Sequence, residues 1–148
     1  MTALTRRPND NPHQEGWHIY FGDVRVGSIR MLAGVPTHGD QWGWSLGFHP
    51  GMEVGPRGDY GGSAASFEEA RAAFEAKWKT VEPTLTEDQF ETWRRDRDFT
   101  AWKYRMWKEG CQLPTQTRSG EARCFCGASI TNADIEAHIQ AAHRGIGA

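Results

Sequence analysis

The amino-acid sequence predicts an α+β fold: a small antiparallel sheet packed on an amphipathic helix, then a second helix and a small C-terminal module. Three observations support this. Large and small residues alternate between positions 42 and 48, apolar residues recur at helical spacing between positions 67 and 81, and two cysteines precede two histidines near the C-terminus. The order of the strand and helix signals does not suggest a parallel sheet.

Composition restricts the class of protein. The chain has 148 residues, 38% of them hydrophobic and 24% charged, which is typical of one globular domain or of one domain with a small appendage. No run of about 18 apolar residues occurs, so we expect no membrane partner. The N-terminus lacks the apolar segment of a secretory signal, and three cysteines then indicate reduced thiols or metal ligands. We therefore expect a cytoplasmic protein.

Changes in composition along the chain predict four segments. Residues 1–14 are polar, contain two prolines and show no apolar period, which is typical of a mobile tail. An α+β domain is predicted over residues 15–110. Residues 111–121 lack periodicity and are predicted as a linker, and residues 122–148 form the C-terminal module.

Strand signals begin after the tail. Residues 17–21 and 24–31 each alternate in the manner of a strand, and the apolar parity of the second one shifts, which indicates a bulge at Gly27. Every even position from Trp42 to Phe48 is large and apolar, and every odd one is Gly or Ser. We expect the even face to be core, and the bare odd face to lie against another backbone, a side chain or a ligand.

Two helices are predicted next. Ser66 and Glu69 form a capping-box pattern, and the helix that follows over residues 67–81 should pack its apolar stripe on the even strand face. The second helix, over residues 86–108, has two opposed apolar faces. One consists of Phe90, Trp93, Ala101 and Tyr104, and the other of Phe99, Trp102 and Met106.

A helix with two opposed apolar faces needs a second packing partner. We take Phe99, Trp102 and Met106 as the interaction surface. Three occupants fit it: the C-terminal module, a second copy of the chain, or a target protein.

The C-terminal module carries the clearest chemistry in the chain. Its four candidate metal ligands are Cys124, Cys126, His138 and His143. Thiolate and neutral imidazole are the ligands that tetrahedral Zn²⁺ prefers, and a segment this short needs a metal to offset its small apolar core. The alternatives are ordinary thiols beside a surface helix or a strained disulfide.

The module resembles a C2H2-type zinc finger over residues 122–144. The resemblance includes Ile130 and Ile135, which occupy the two apolar positions that form the core of such a finger, and Thr131 or Asn132, which can cap its helix. It implies a ββα or β-turn-α module that binds one Zn²⁺ ion.

Ligand spacing departs from the family pattern. One residue, Phe125, separates the two cysteines, so the chain must curl there to bring both sulfurs to one metal. The histidines are five apart, so the last helical turn must loosen. Cys111 is a substitute ligand if Cys124 cannot reach the metal.

The finger lacks the residues that read DNA. In DNA-reading members of the family, base contacts come from the positions that correspond here to Thr131, Ala133, Asp134 and Ala137. None is Arg, Lys, Asn or Gln, and the net charge of the chain is −2. We therefore favour a structural finger or a finger that binds a protein partner or a second copy of the chain, with nucleic-acid binding, by the finger or by the N-terminal sheet, as the alternative.

An enzyme is the third hypothesis. His38, Asp40 and His49 lie in loops that flank the strongest strand and, with Asp59, could form a metal or acid–base site. No motif of a known catalytic site frames them.

The N-terminal region also resembles other proteins. It is similar to short bacterial proteins of unknown function with a Trp-Gly-Trp-Ser strand and a Phe-Glu-Glu-Ala-Arg helix start, and its element order is similar to that of small integrase-type DNA-binding domains. Neither resemblance implies an activity.

Overall fold

The computed structural model describes residues 3–49, 52 and 60–148. The chain divides into two compact units, residues 1–90 and residues 91–148, which we call the N-terminal and C-terminal units. The boundary lies inside the second helix and not at residue 110, where the predicted domain ends. No helix in the described part of the chain is long and apolar enough to span a membrane.

The N-terminal unit contains a five-stranded antiparallel sheet in which each strand pairs with the next along the chain. The strands are β1 (Leu4–Pro8), β2 (Gly16–Phe21), β3 (Val24–Met31), β4 (Trp42–Leu46) and β5 (Gly61–Ala64). Antiparallel pairing of each strand with the next gives this order without crossovers. The predicted α+β class with an antiparallel sheet is confirmed.

Strand β1 lies where the sequence suggests a mobile tail. Its side chains are mostly exposed, so it shows no apolar period, and backbone pairing with β2 holds it in place. The Arg6 guanidinium lies 4.3 Å from the ring centroid of Trp17, and that of Arg7 lies 4.2 Å from the ring of Tyr20. Cation–π contacts of this kind leave no trace in hydrophobic periodicity.

A bulge interrupts the pairing of β2 and β3. Ile19 pairs with Gly27 and Tyr20 pairs with Arg25, which leaves Val26 as the extra residue. Because of this extra residue, apolar side chains of β3 on both sides of the bulge can face the core. A Cβ atom at Gly27 would lie 2.5 Å from the Phe74 ring, so this position needs glycine. The predicted irregularity is present, one residue before Gly27.

Helix α1 (Phe67–Val81) packs on the sheet through the apolar stripe that the sequence predicts. The Phe67 ring lies 5.5 Å from the Trp42 ring, and the Phe74 ring lies 6.3 Å from the Trp44 ring, both edge-on. The Ser66 hydroxyl accepts a hydrogen bond from the backbone N–H of Glu69 at 3.2 Å, which caps the helix.

The odd face of β4 lies close to side chains of neighbouring residues. A side chain at Gly43 would meet Leu32, and the hydroxyl groups of Ser28 and Ser45 lie 3.0 Å apart across the β3–β4 pair. At Gly43 and Ser45 the odd face therefore lies against side chains of the same chain, one of the arrangements expected from the sequence.

Helix α2 (Glu87–Lys108) begins one residue later than predicted. The Gln89 side chain accepts a hydrogen bond from the backbone N–H of Thr86 at 2.8 Å, which satisfies a free N–H group at the helix start. Phe90 stacks on Phe48 at 5.2 Å within the N-terminal unit.

The C-terminal unit continues with a two-stranded hairpin and a short helix. Its elements are β6 (Glu121–Arg123), β7 (Ser129–Thr131) and α3 (Ile135–Ala142), the ββα order that the resemblance implies. The first part of residues 111–121, expected to be a linker, packs against the core of the unit. Pro114 is buried, and Cys111 and Leu113 lie against the core of the unit.

Candidate metal centre

The hairpin turn brings the two cysteines together. The Cys124 carbonyl accepts a hydrogen bond from the N–H of Gly127 at 2.8 Å, and the Cys124 N–H donates to the Ala128 carbonyl at the same distance. Gly127 has a φ of 95°, which favours glycine. Phe125 and Cys126 occupy the middle of this turn, where the spacing of the cysteines requires the chain to curl.

Helix α3 supplies the first histidine, and its end supplies the second. His138 lies within the helix, whereas His143 is the capping residue with a φ of −132° and donates its backbone N–H to the Ile139 carbonyl at 2.8 Å. The helix thus ends before His143, as the five-residue spacing predicts. Asp134 precedes the helix in place of the predicted Thr131 or Asn132 cap, and its carboxylate accepts a hydrogen bond from the Thr131 N–H at 2.6 Å.

These two elements place Cys124, Cys126, His138 and His143 in one cluster. Their ligand atoms all lie within 4.8 Å of one another. The Sγ atom of Cys124 is 3.4 Å from Nε2 of His143, and that of Cys126 is 3.5 Å from Nε2 of His138.

The two S–N separations match a coordination tetrahedron. Ligand bonds of about 2.3 Å to sulfur and about 2.0 Å to nitrogen place S and N about 3.5 Å apart at the tetrahedral angle. The donor set and its spacing therefore fit a metal ion such as Zn²⁺.

Burial differs across the cluster. Cys124 is 2% exposed, whereas Cys126 is exposed and both histidines are half-buried. Burial raises the pKa of the Cys124 thiol, and burial, helped by the nearby His138 and Arg105, lowers the pKa of His143. A lowered pKa keeps the imidazole of His143 neutral, the form that binds metal.

A compact apolar core lies beside the cluster. Its buried members are Trp102, Met106, Cys124, Ile130, Ile135 and Ile139, and Phe99 packs against them. Ile130 and Ile135 are the two positions expected to form the core of the finger, and Ile139 adds a third that the sequence analysis missed although it lies one helical turn beyond Ile135.

The expected interaction surface of α2 is part of this core. Trp102 and Met106 are both fully buried, and Phe99 is partly buried against the same cluster. Of the three occupants considered, the C-terminal module of the same chain covers this face. Trp102 and Met106 are thus covered by this module, whereas Phe99 stays partly exposed.

The residues after His143 are tied to α2. Asp98, 1% exposed, accepts hydrogen bonds from the backbone N–H groups of Gly145 at 2.9 Å and Gly147 at 3.2 Å. Burial alone would raise the pKa of Asp98, but these bonds and the neighbouring Arg97 lower it overall. The Arg144 guanidinium pairs with Glu91 at 2.8 Å. We call the contacts of Asp98 with the backbone of Gly145 and Gly147 the Asp98 clamp. The sequence does not reveal it, because Asp98 ends a run of charged residues of both signs that is typical of a solvated helix face.

Other candidate ligands stay apart from the centre. Among the described residues, one group of Cys, His, Asp or Glu side chains is close enough to share a metal. It consists of Cys124, Cys126, His138 and His143 and does not include Cys111.

The loop residues considered for an enzyme are likewise not assembled into a metal-binding group in the described chain. His38 is exposed, Asp40 accepts a hydrogen bond from the Ser63 hydroxyl at 2.8 Å, and His49 contacts the Phe48 ring. Asp59 lies outside the described residues.

The four positions that would contact DNA bases do not lie together on one helix surface. Thr131 ends β7, Ala133 and Asp134 precede α3, and the Asp134 carboxylate is engaged with the backbone of Thr131. Only Ala137 lies in the helix, and its methyl group offers no hydrogen bond.

Comparison with family models, curated proteins and solved structures found no match to the chain. The similarity to C2H2 fingers thus rests on the four clustered ligands and the residues around them. The similarity of the N-terminal unit to short bacterial proteins stays a prediction.

Proposed function

We propose that the chain is a non-enzymatic zinc protein whose C-terminal unit is organised by one structural Zn²⁺ ion. The observation that carries this proposal is the spacing of the four ligand atoms, within 4.8 Å of one another, with two S–N separations that match a tetrahedron. Four protein ligands complete the coordination of Zn²⁺ and leave no open position for a substrate or catalytic water.

Metal stoichiometry tests the proposal. Native mass spectrometry of the purified protein should show one zinc per chain, and Cys126→Ala should lose it. Cys111→Ala is the matched control, because Cys111 is a half-buried cysteine outside the cluster, and it should keep the metal. A zinc-free chain whose residues 124–143 remain ordered would contradict the proposal.

An interaction role is supported by a different face of α2. Tyr104 is 70% exposed and Trp107 is 81% exposed, and they lie with Thr100 and Lys103 along one side of the helix. Aromatic side chains of this size are enriched at protein–protein contacts. With Trp102 buried, this face replaces the expected surface as the proposed contact for a protein partner or a second copy.

Self-association is the directly testable form of that role. Sedimentation velocity should show concentration-dependent dimers in the native chain, and Tyr104→Ser with Trp107→Ser should abolish them. Thr115→Ala, an exposed change in the same unit, is the control. Monomers at every concentration would rule out the second copy as the occupant.

Nucleic-acid binding is the second candidate. The C-terminal unit carries nine basic and seven acidic residues, whereas the N-terminal unit carries eight and twelve. Mobility-shift assays over a random duplex library test it. Tight binding with a steep salt dependence, abolished by changes at residues 131–137, would favour a regulator over the interaction role.

A further inference from the structure

Trp102 lies outside the finger-like segment, on α2, yet it reaches one of the four candidate ligands. Its indole Nε1 is 3.4 Å from the Sγ atom of Cys124. The side chain is fully buried, so its orientation is set by packing and not by solvent. An indole N–H can only donate a hydrogen bond, and a sulfur at this distance is its acceptor.

The two cysteines differ in their need for such a donor. Cys126 is exposed, so water can solvate its sulfur, whereas Cys124 is 2% exposed within an apolar core. A thiolate at Cys124 would carry negative charge in a place that excludes water, and a buried charge without a hydrogen-bond donor is costly. The indole N–H of Trp102 supplies that donor.

We propose that Trp102 is a positioning residue of the zinc centre, whose N–H donates to the Cys124 thiolate when metal is bound. This inference rests on the proposed zinc site. The bond holds the Cys124 sulfur in its ligating orientation and withdraws charge from it. It also makes α2 part of the metal centre, which then extends beyond residues 122–148.

Removal of the donor should be visible in the spectrum of bound Co²⁺. A thiolate that loses a hydrogen bond becomes more electron-rich, so its sulfur-to-cobalt charge-transfer band should move to lower energy in Trp102→Phe. Zn²⁺ affinity, measured against a competing chelator, should fall by about 10- to 100-fold, the range for residues that orient metal ligands. Trp107→Phe, on the exposed face, should change neither quantity.

A second measurement separates the hydrogen bond from packing. When a spin-half isotope of cadmium is bound to the native chain, nuclear magnetic resonance should show scalar coupling between the Trp102 indole proton and the metal through the Cys124 sulfur. Replacement of Trp102 by benzothienylalanine keeps the bicyclic shape without the N–H, and it should reproduce the shifted Co²⁺ band. This variant also decides the matter if Trp102→Phe fails to fold.

The outcomes separate the role of Trp102 from the zinc site on which that role depends. A native chain that binds neither Zn²⁺ nor Co²⁺ overturns the zinc site itself. A chain that binds Co²⁺, with an unshifted band in both variants and no cadmium coupling to the indole, overturns the role of Trp102 and leaves the zinc site intact.

Discussion

The two units of this chain stabilise themselves in different ways. The N-terminal unit packs a five-stranded sheet on α1 through large apolar side chains, including Ile29, Leu46, Phe74 and Trp78. The C-terminal unit has a core cluster of six buried side chains, one of which, Cys124, is also one of the four candidate ligands. Apolar burial can sustain the first, whereas a core of six residues gains from a metal crosslink. We therefore expect the proposed metal to contribute more to the stability of the C-terminal unit than to that of the N-terminal unit.

Metal removal should produce the largest difference between the units. Binding of structural zinc contributes about 10–16 kcal/mol in finger peptides at pH 7, so a chelator should release the packing of β6, β7 and α3. Hydrogen exchange with mass spectrometry should show loss of protection in the C-terminal unit and unchanged protection of β2, β3 and β4. Loss of protection in both units on chelation would refute their independence.

Deletion of a core aromatic ring should have the opposite regional effect. Phe74 is 1% exposed and contacts Trp44, so Phe74→Ala should destabilise the N-terminal unit by about 3–5 kcal/mol. Denaturant unfolding followed by circular dichroism measures this change. Zinc content should remain one per chain, and a variant that loses its metal as well would show that the units fold together.

Asp98 provides a smaller and pH-dependent test. Asp98→Asn removes a charged acceptor from two partly buried hydrogen bonds and should destabilise the C-terminal unit by about 1–3 kcal/mol at pH 7. Because folding lowers the pKa of Asp98, its contribution is complete above the ordinary value of 3.8 and is lost as the pH falls through the lower folded value.

Denaturant unfolding at several pH values, with the zinc content measured at each, checks this expectation. The stability difference between Asp98→Asn and the native chain should shrink toward low pH. Asp96→Asn, an exposed change on the same helix, should have little effect at any pH. A difference that does not depend on pH would contradict the role given to the carboxylate.

The local pattern of the sequence was sufficient to predict the core faces of β4 and α1 and the residues of the candidate metal centre. Alternation from Trp42 to Phe48 and the helical stripe over residues 67–81 reveal core faces, because strand and helix periods place side chains in known directions. Residue type and spacing alone identified the four residues that the structure brings into one cluster. The loosened helix end before His143 followed from the same geometry.

Only the tertiary structure decided which surfaces meet. Strand β1 and the Asp98 clamp depend on backbone hydrogen bonds and stacked guanidinium groups, which no hydrophobic period records. The two apolar faces of α2 were visible, but only packing shows that Trp102 and Met106 lie against the finger while Tyr104 and Trp107 remain exposed. Burial is a property of the neighbours that a side chain acquires, and those neighbours come from distant parts of the chain.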